Sequence, residues 1–166
     1  MIVIKRISPE TALVFKDVRL RALRESPTSF SSTYAKESQL PDEEWVKRAA
    51  RWGSDGRDAI FLAFEDEASC GIVGSQGEAE NPQVAHVISM WVDPEFRRAG
   101  VGRALIDTVV EWNRSLGVRV VKLMVTSVSQ GAMRFYEEMG FRMTGVTGPY
   151  PNDPAIIEFE MEFAVR

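Results

Sequence analysis

The segment Val84–Leu105, VAHVISMWVDPEFRRAGVGRAL, constrains the fold more than any other part of the chain. Val84–Val92 is rich in β-branched and aromatic residues and predicts a buried strand. Asp93-Pro94 stops it. From Val101 onward, apolar residues recur at helical spacing: Val101, Leu105, Thr108/Val109, Trp112 and Leu116, with Gly117 where a left-handed C-cap belongs. The strand must therefore pass into a helix through a short turn carrying Arg97, Arg98, Gly100 and Gly102. Unpaired amides at a helix N-terminus, with the positive end of the helix dipole, favour an anion. Glycine at 100 and 102 leaves room for a phosphate to reach the backbone without meeting a Cβ atom. Arg97, Arg98 and Arg103 add positive charge to an otherwise acidic chain of net charge −4. The pattern is neither a Rossmann fingerprint, which needs Gly-x-Gly-x-x-Gly after a first strand, nor a phosphate loop ending in Gly-Lys-Ser/Thr.

The remaining elements follow from periodicity. Residues 2–7 read as a first strand. Ser8-Pro9-Glu10 starts a helix over 9–25, with Val14, Val18 and Ala22 on its apolar face. Residues 26–40 are hydroxyl-rich without a period and read as a loop or broken helix. Trp45, Ala49 and Trp52 mark a second helix ending near Gly53. The apolar runs 58–64 and 70–74 read as strands joined by an acidic turn. Val118–Val125 is the next strand, and Ala132, Phe135, Tyr136 and Met139 form the stripe of a last helix before Gly140. Phe141–Thr144 and Ile156–Phe163 close the sequence of elements, the latter with acids at 158, 160 and 162 expected on a solvated side. Three strands ahead of one strand–helix–strand crossover predict a mixed α/β fold with helices on the faces of one sheet.

Residues 1–166 read as one domain, with no repeat or linker. One cysteine, Cys70, excludes an internal disulfide, and a single histidine excludes a Cys/His zinc site. No metal is expected. The first residues are too briefly apolar for a signal peptide, and no stretch reaches the about 18 apolar residues of a membrane helix. A cytoplasmic location is the resulting expectation, with no membrane partner. The acidic balance disfavours a nucleic-acid partner and suits a small anionic ligand near the arginines.

Arg97-x-x-Gly100-x-Gly102, after a strand ending in Val-Asp-Pro, resembles the acetyl-CoA signature of the GNAT superfamily of N-acetyltransferases. Ala132-Met133-Arg134-Phe135-Tyr136-Glu137-Glu138-Met139-Gly140-Phe141 resembles a second segment of that family. The element order agrees from about residue 2 to 163. Ser129 departs from the pattern, since the family often has asparagine there. The resemblance implies a three-layer fold: a mostly antiparallel sheet of six to seven strands, splayed between strands 4 and 5, flanked by about four helices. It implies acetyl-CoA as co-substrate, held by backbone groups of Met90, Trp91 and Val92 along its pantetheine arm. Amides of Arg97, Arg98, Gly100, Val101 and Gly102 would take its pyrophosphate, with Arg103 and Ser129 nearby. The acceptor would be an amine of a small molecule or peptide, and a homodimer is common in the family.

The implied chemistry is direct attack of an amine on a thioester. An alkylammonium must first lose a proton, the thioester oxygen needs a donor, and the leaving thiolate needs a proton. A phenol stays protonated at neutral pH, so Tyr136 is the candidate acid, with a place in the helix core as its alternative role. Imidazole titrates near neutrality, so His86 is a candidate base. Glu78 or Glu80 through water, or water alone, are the alternatives, and His86 is otherwise an ordinary strand residue. Trp45, Trp91 and Trp112 read as core. By family analogy the acceptor pocket is lined by the loop around Phe30–Tyr34 and the closing loop Thr147–Asp153, and the acids in and around these regions would favour a cationic acceptor. A non-catalytic acyl-CoA-binding module on the same fold is the rival reading.

Overall fold

The structure is a computed structural model and describes residues 1–54 and 56–166. Its elements run β1 (Ile2–Arg6), α1 (Ala12–Glu25), α2 (Tyr34–Glu37), α3 (Asp42–Gly53), β2 (Ala59–Glu65), β3 (Ala68–Gly77) and β4 (Val84–Val92). They continue as α4 (Val101–Ser115), β5 (Val120–Thr126), α5 (Gln130–Glu138), β6 (Arg142–Tyr150) and β7 (Asp153–Ala164). Five α-helices flank the sheet where the sequence suggests about four, because a one-turn helix forms inside the hydroxyl-rich segment. Thr33 caps it by accepting a hydrogen bond from the Lys36 amide at 3.2 Å.

All seven strands form one sheet in the order β1-β2-β3-β4-β5-β7-β6. Every neighbouring pair is antiparallel except β4 with β5. Each face of the sheet buries its own apolar layer. On one face, α4 and α5 cover Phe61, Val73, Val87, Val121, Leu123 and Met161. On the other, α1 and α3 cover Ile60, Leu62, Ile72 and Trp91, with Trp45 and Phe15 in edge-to-face contact. Trp45 and Trp91 are core residues, as expected, and Trp112 packs half-buried against Phe61.

The end of α4 differs from the periodic reading. Leu116 lies beyond the last helical residue and is exposed, and the buried stripe runs instead through Ile106, Val110 and Asn113. The fully buried Asn113 amide donates to Ser75 Oγ at 2.8 Å and to the Val109 carbonyl at 2.9 Å. A polar clip thus joins α4 to β3, a contact that no hydrophobic period can announce. The closing strands are also longer than read. β6 and β7 form a hairpin that absorbs most of Thr147–Asp153, leaving only Pro151-Asn152 as the turn.

Candidate active site

Parallel pairing of β4 with β5 covers only Val84–His86 against Val120–Lys122. Beyond that point the strands diverge, and from Val87 to Val92 the β5-facing edge of β4 has no strand partner among the described residues. A cavity of about 640 Å³ occupies the opening. β4 supplies one wall, including His86, Ile88 and Met90, while Leu123–Thr126, Ser129 and Tyr136 supply the other. Phe30 and Tyr150 line it as well.

The β4 wall is bent by a bulge. Ile72 pairs with Trp91 and Gly74 with Ile88, so three steps on β4 face two on β3. Ser89 takes the extra position with φ +56. The bulge also inverts the alternation: Ala85 and Val87 face the α4 layer, whereas Met90 and Val92 face it after the bulge and Trp91 turns to the α1 layer. Arg19 of α1 holds the bulge from outside, donating through Nη1 to Ser89 Oγ at 2.6 Å. Its Nε and Nη2 grip both oxygens of the buried Glu37 at 3.1 and 3.0 Å, and Arg48 reaches the same carboxylate at 3.0 Å. Burial alone would raise the Glu37 carboxyl, but the hydrogen bonds and charge of Arg19, with Ser32 and Arg48, hold it below its ordinary value.

At the end of β4 the chain enters the glycine turn. Asp93 caps the turn by accepting from the Glu95 amide at 2.9 Å, and its other oxygen accepts from Arg21 at 2.6 Å. Arg98 has φ +64, and Gly100, directly before α4, has φ +90. A Cβ on Gly100 would find only Ile2 Cδ1 at 3.8 Å, so the turn is open on that side. Gly102 differs: a Cβ there would meet Phe135 Cζ at 3.1 Å, so this glycine lets α5 pack closely on α4. Arg97 does not project freely. Its Nε donates to the Val92 carbonyl at 2.9 Å and its Nη2 to Glu25 at 2.8 Å, and Glu25 also accepts from Trp91 Nε1 at 2.7 Å. Arg98 and Arg103 are exposed.

Tyr136 is buried in α5 between Phe135 and Phe141 and still lines the cavity, so the core role and the site role coincide. Burial raises its phenol well above the ordinary value and keeps it neutral. His86 lines the same cavity with its Nε2 3.2 Å from Glu78 Oε1, which brings two of the sequence candidates together. Glu80 is exposed and is not among the lining residues. Ser129 Oγ lies 2.9 Å from Thr126 Oγ1 at the start of α5.

The acceptor loops named from the sequence touch one another. Tyr150 Oη donates to the Pro27 carbonyl at 2.9 Å and contacts the Phe30 carbonyl, while Asn152 Nδ2 donates to Phe30 O at 3.3 Å. Glu37 is absent from this pocket, because it is buried against two arginines. Sequence reasoning missed Glu158. It was expected among solvated acids, yet it is half-buried and lines the cavity. Its alternation in β7 carried the signal, since Thr126, its partner on β5, heads the turn into α5.

A mixed seven-stranded sheet that opens between β4 and β5, above a glycine turn at a helix N-terminus, defines the GNAT class of fold. The chain belongs to the Acetyltransferase (GNAT) family, whose model matches residues 20–141. An uncharacterized N-acetyltransferase of Methanocaldococcus jannaschii is 30% identical over 104 residues, covering 60% of this chain and 46% of the relative. The chain thus spans less than half of that relative's length. Glucosamine 6-phosphate N-acetyltransferase of Trypanosoma brucei brucei is 41% identical over 135 residues, 76% of this chain and 90% of the relative. PaiA N-acetyltransferase of Thermoplasma acidophilum, solved in complex with coenzyme A, shares the fold with a TM-score of 0.77 at 19% identity, over 99% of both chains. No helix among the described residues is long and apolar enough to cross a membrane, and no group of His, Cys, Asp or Glu among them has metal-ligand geometry.

Proposed function

We propose that the chain is an acetyl-CoA-dependent N-acetyltransferase acting on a primary amine by direct attack. The observation that carries the proposal is the unpaired edge of β4 from Val87 to Val92, ending at an open glycine turn and facing a neutral phenol across one cavity. The residues present fit the co-substrate: an extended arm has a free strand edge to pair with at Met90, Trp91 and Val92. A pyrophosphate has the amides of Arg97, Arg98, Gly100, Val101 and Gly102, where a helix N-terminus meets a left-handed glycine. Arg98 and Arg103 supply exposed positive charge there, whereas Arg97 acts through its backbone because its side chain is held by Val92 and Glu25.

When bound, acetyl-CoA supplies the acetyl group as an activated thioester. The amine acceptor occupies the part of the cavity lined by Phe30 and Tyr150. His86, paired with Glu78, takes a proton from the acceptor's ammonium, directly or through water. A strand amide at the bulge, between Met90 and Val92, donates to the carbonyl oxygen as charge develops on it. A nitrogen–carbon bond forms and the carbon–sulfur bond breaks. Tyr136 then gives its proton to the leaving sulfur, the role its burial favours by keeping the phenol neutral, and the second proton shed by the acylated nitrogen returns through water to the Tyr136 oxygen. Ser129, tied to Thr126, holds the start of α5 beside the arm.

The test is thiol release from acetyl-CoA with a panel of amines, among them glucosamine 6-phosphate, the substrate named for the trypanosomal relative. Release that depends on an amine supports the transferase. Coenzyme A binding without release under any amine supports a binding module instead.

A further inference from the structure

The cavity is lined by three charge-bearing side chains, and two are already matched. Arg19 spends Nε and Nη2 on Glu37 and Nη1 on Ser89. His86 faces Glu78 at 3.2 Å. Glu158 takes part in no hydrogen bond or ion pair among the described residues, although it is half-buried. The contrast with the next acid on the same face of β7 is direct. Glu160 accepts from Thr144 Oγ1 at 2.9 Å and lies 3.7 Å from Lys122 Nζ.

The surroundings of Glu158 leave its carboxylate uncovered. Its cross-strand partner on β5 is Thr126, whose hydroxyl is engaged by Ser129. Its partner on β6 is Gly148, where even an added Cβ would meet no atom within 4 Å. Burial raises the Glu158 carboxyl above its ordinary value, the response of a carboxylate that loses water and gains no cation. A positive group brought into the cavity reverses that penalty, and a negative one adds to it.

We propose that Glu158 is the counter-charge for a second ammonium on the acceptor, so that the substrate class is a small diamine or polyamine bearing no anionic group. The inference rests on the transferase reading and narrows it. One nitrogen of the acceptor faces the thioester and His86, while the other, still protonated, lies against Glu158. A carboxylate or phosphate in the same place meets Glu158 and finds no uncommitted guanidinium, because Arg19 is neutralised by Glu37. Neither step changes a covalent bond, so the proposal concerns selection and leaves the chemistry of transfer as described.

The test is calorimetric binding of three probes of equal chain length, 1,4-diaminobutane, butylamine and 4-aminobutanoate, to the full chain saturated with coenzyme A. The diamine is expected to bind about tenfold more tightly than butylamine or better, with 4-aminobutanoate weakest. Glu158→Gln, which keeps the shape of the side chain, is expected to bring diamine and butylamine within about twofold of each other. Glu162→Gln, an exposed acid of the same strand, retains the wild-type order. Equal binding of the three probes by the wild type overturns the proposal, as does a diamine preference that survives Glu158→Gln. Binding of coenzyme A alone is measured first. Its absence rejects the transferase reading, and the same three probes on the coenzyme-free chain still decide the role of Glu158.

Discussion

Replacing Glu37 by glutamine tests the bracing of the β4 bulge. The carboxylate is almost fully buried, with 4% of its side chain exposed, and it faces Arg19 and Arg48 at 3.0 Å each. Removing one member of a buried ion pair costs about 3–5 kcal/mol, since the partner stays buried without a counter-charge. Arg48 is 34% exposed, so its share falls toward the about 0–1 kcal/mol of surface pairs. Glutamine also retains one acceptor for Arg19. The expected loss is therefore about 2–4 kcal/mol, or about 4–16 °C in Tm for a chain of this size. The Glu37 carboxyl is held below its ordinary value in the fold, so its stabilisation is complete above the unfolded value near 4.5 and fades as pH falls through the folded value. Denaturant unfolding of wild type and variant at pH 7 should show the full gap, and the gap should narrow below about pH 4.5. Because Arg19 also holds Ser89, kcat of the variant should fall even where the protein stays folded. A destabilisation under about 1 kcal/mol at pH 7, or a gap that widens on acidification, refutes the reasoning.

Three further substitutions test the site. Tyr136→Phe is expected to lower kcat about a hundredfold while the Kd for coenzyme A, read by calorimetry, stays unchanged, since the phenol serves the leaving sulfur and not the cofactor. Gly100→Val forces a β-branched residue to φ +90 and should cost about 1–2 kcal/mol of stability by denaturant titration. The same variant should also weaken coenzyme A binding more than tenfold, or about 1.4 kcal/mol, because the added Cβ, with only Ile2 Cδ1 near it at 3.8 Å, opens into the space of the phosphate. Glu25→Gln removes one of the two anchors of the Arg97 side chain and leaves the bond to Val92, so the turn that cradles the phosphates is less firmly held; both groups are partly exposed, so coenzyme A affinity should fall only about two- to fivefold.

What the sequence discloses here is what periodicity and local chemistry encode. The strand at Val84–Val92, the break at Asp93-Pro94 and the helix from Val101 lie where the pattern places them, because each is fixed by neighbours in the chain. The charged braces are not local. Glu37 lies in a stretch without a period and pairs with Arg19 and Arg48, 18 and 11 residues away, so nothing nearby marks it as buried. The bulge at Ser89 likewise leaves no sign in a run of strand-forming residues, since it depends on the mismatch with β3. The Glu78–His86 contact brings together two residues that sequence reasoning weighed as rival bases. Glu158 was misplaced for a different reason. Alternation assigned its face of the sheet, but whether that face is open depends on the divergence of β4 from β5, which is set by pairings distant in sequence.

The central claim is tested most directly by following free thiol while acetyl-CoA is incubated with the chain and 1,4-diaminobutane. The account predicts amine-dependent release, abolished or greatly slowed by Tyr136→Phe, with acetylated diamine as the product by mass spectrometry. Tight coenzyme A binding with no acetylated product from any amine of the panel would contradict it.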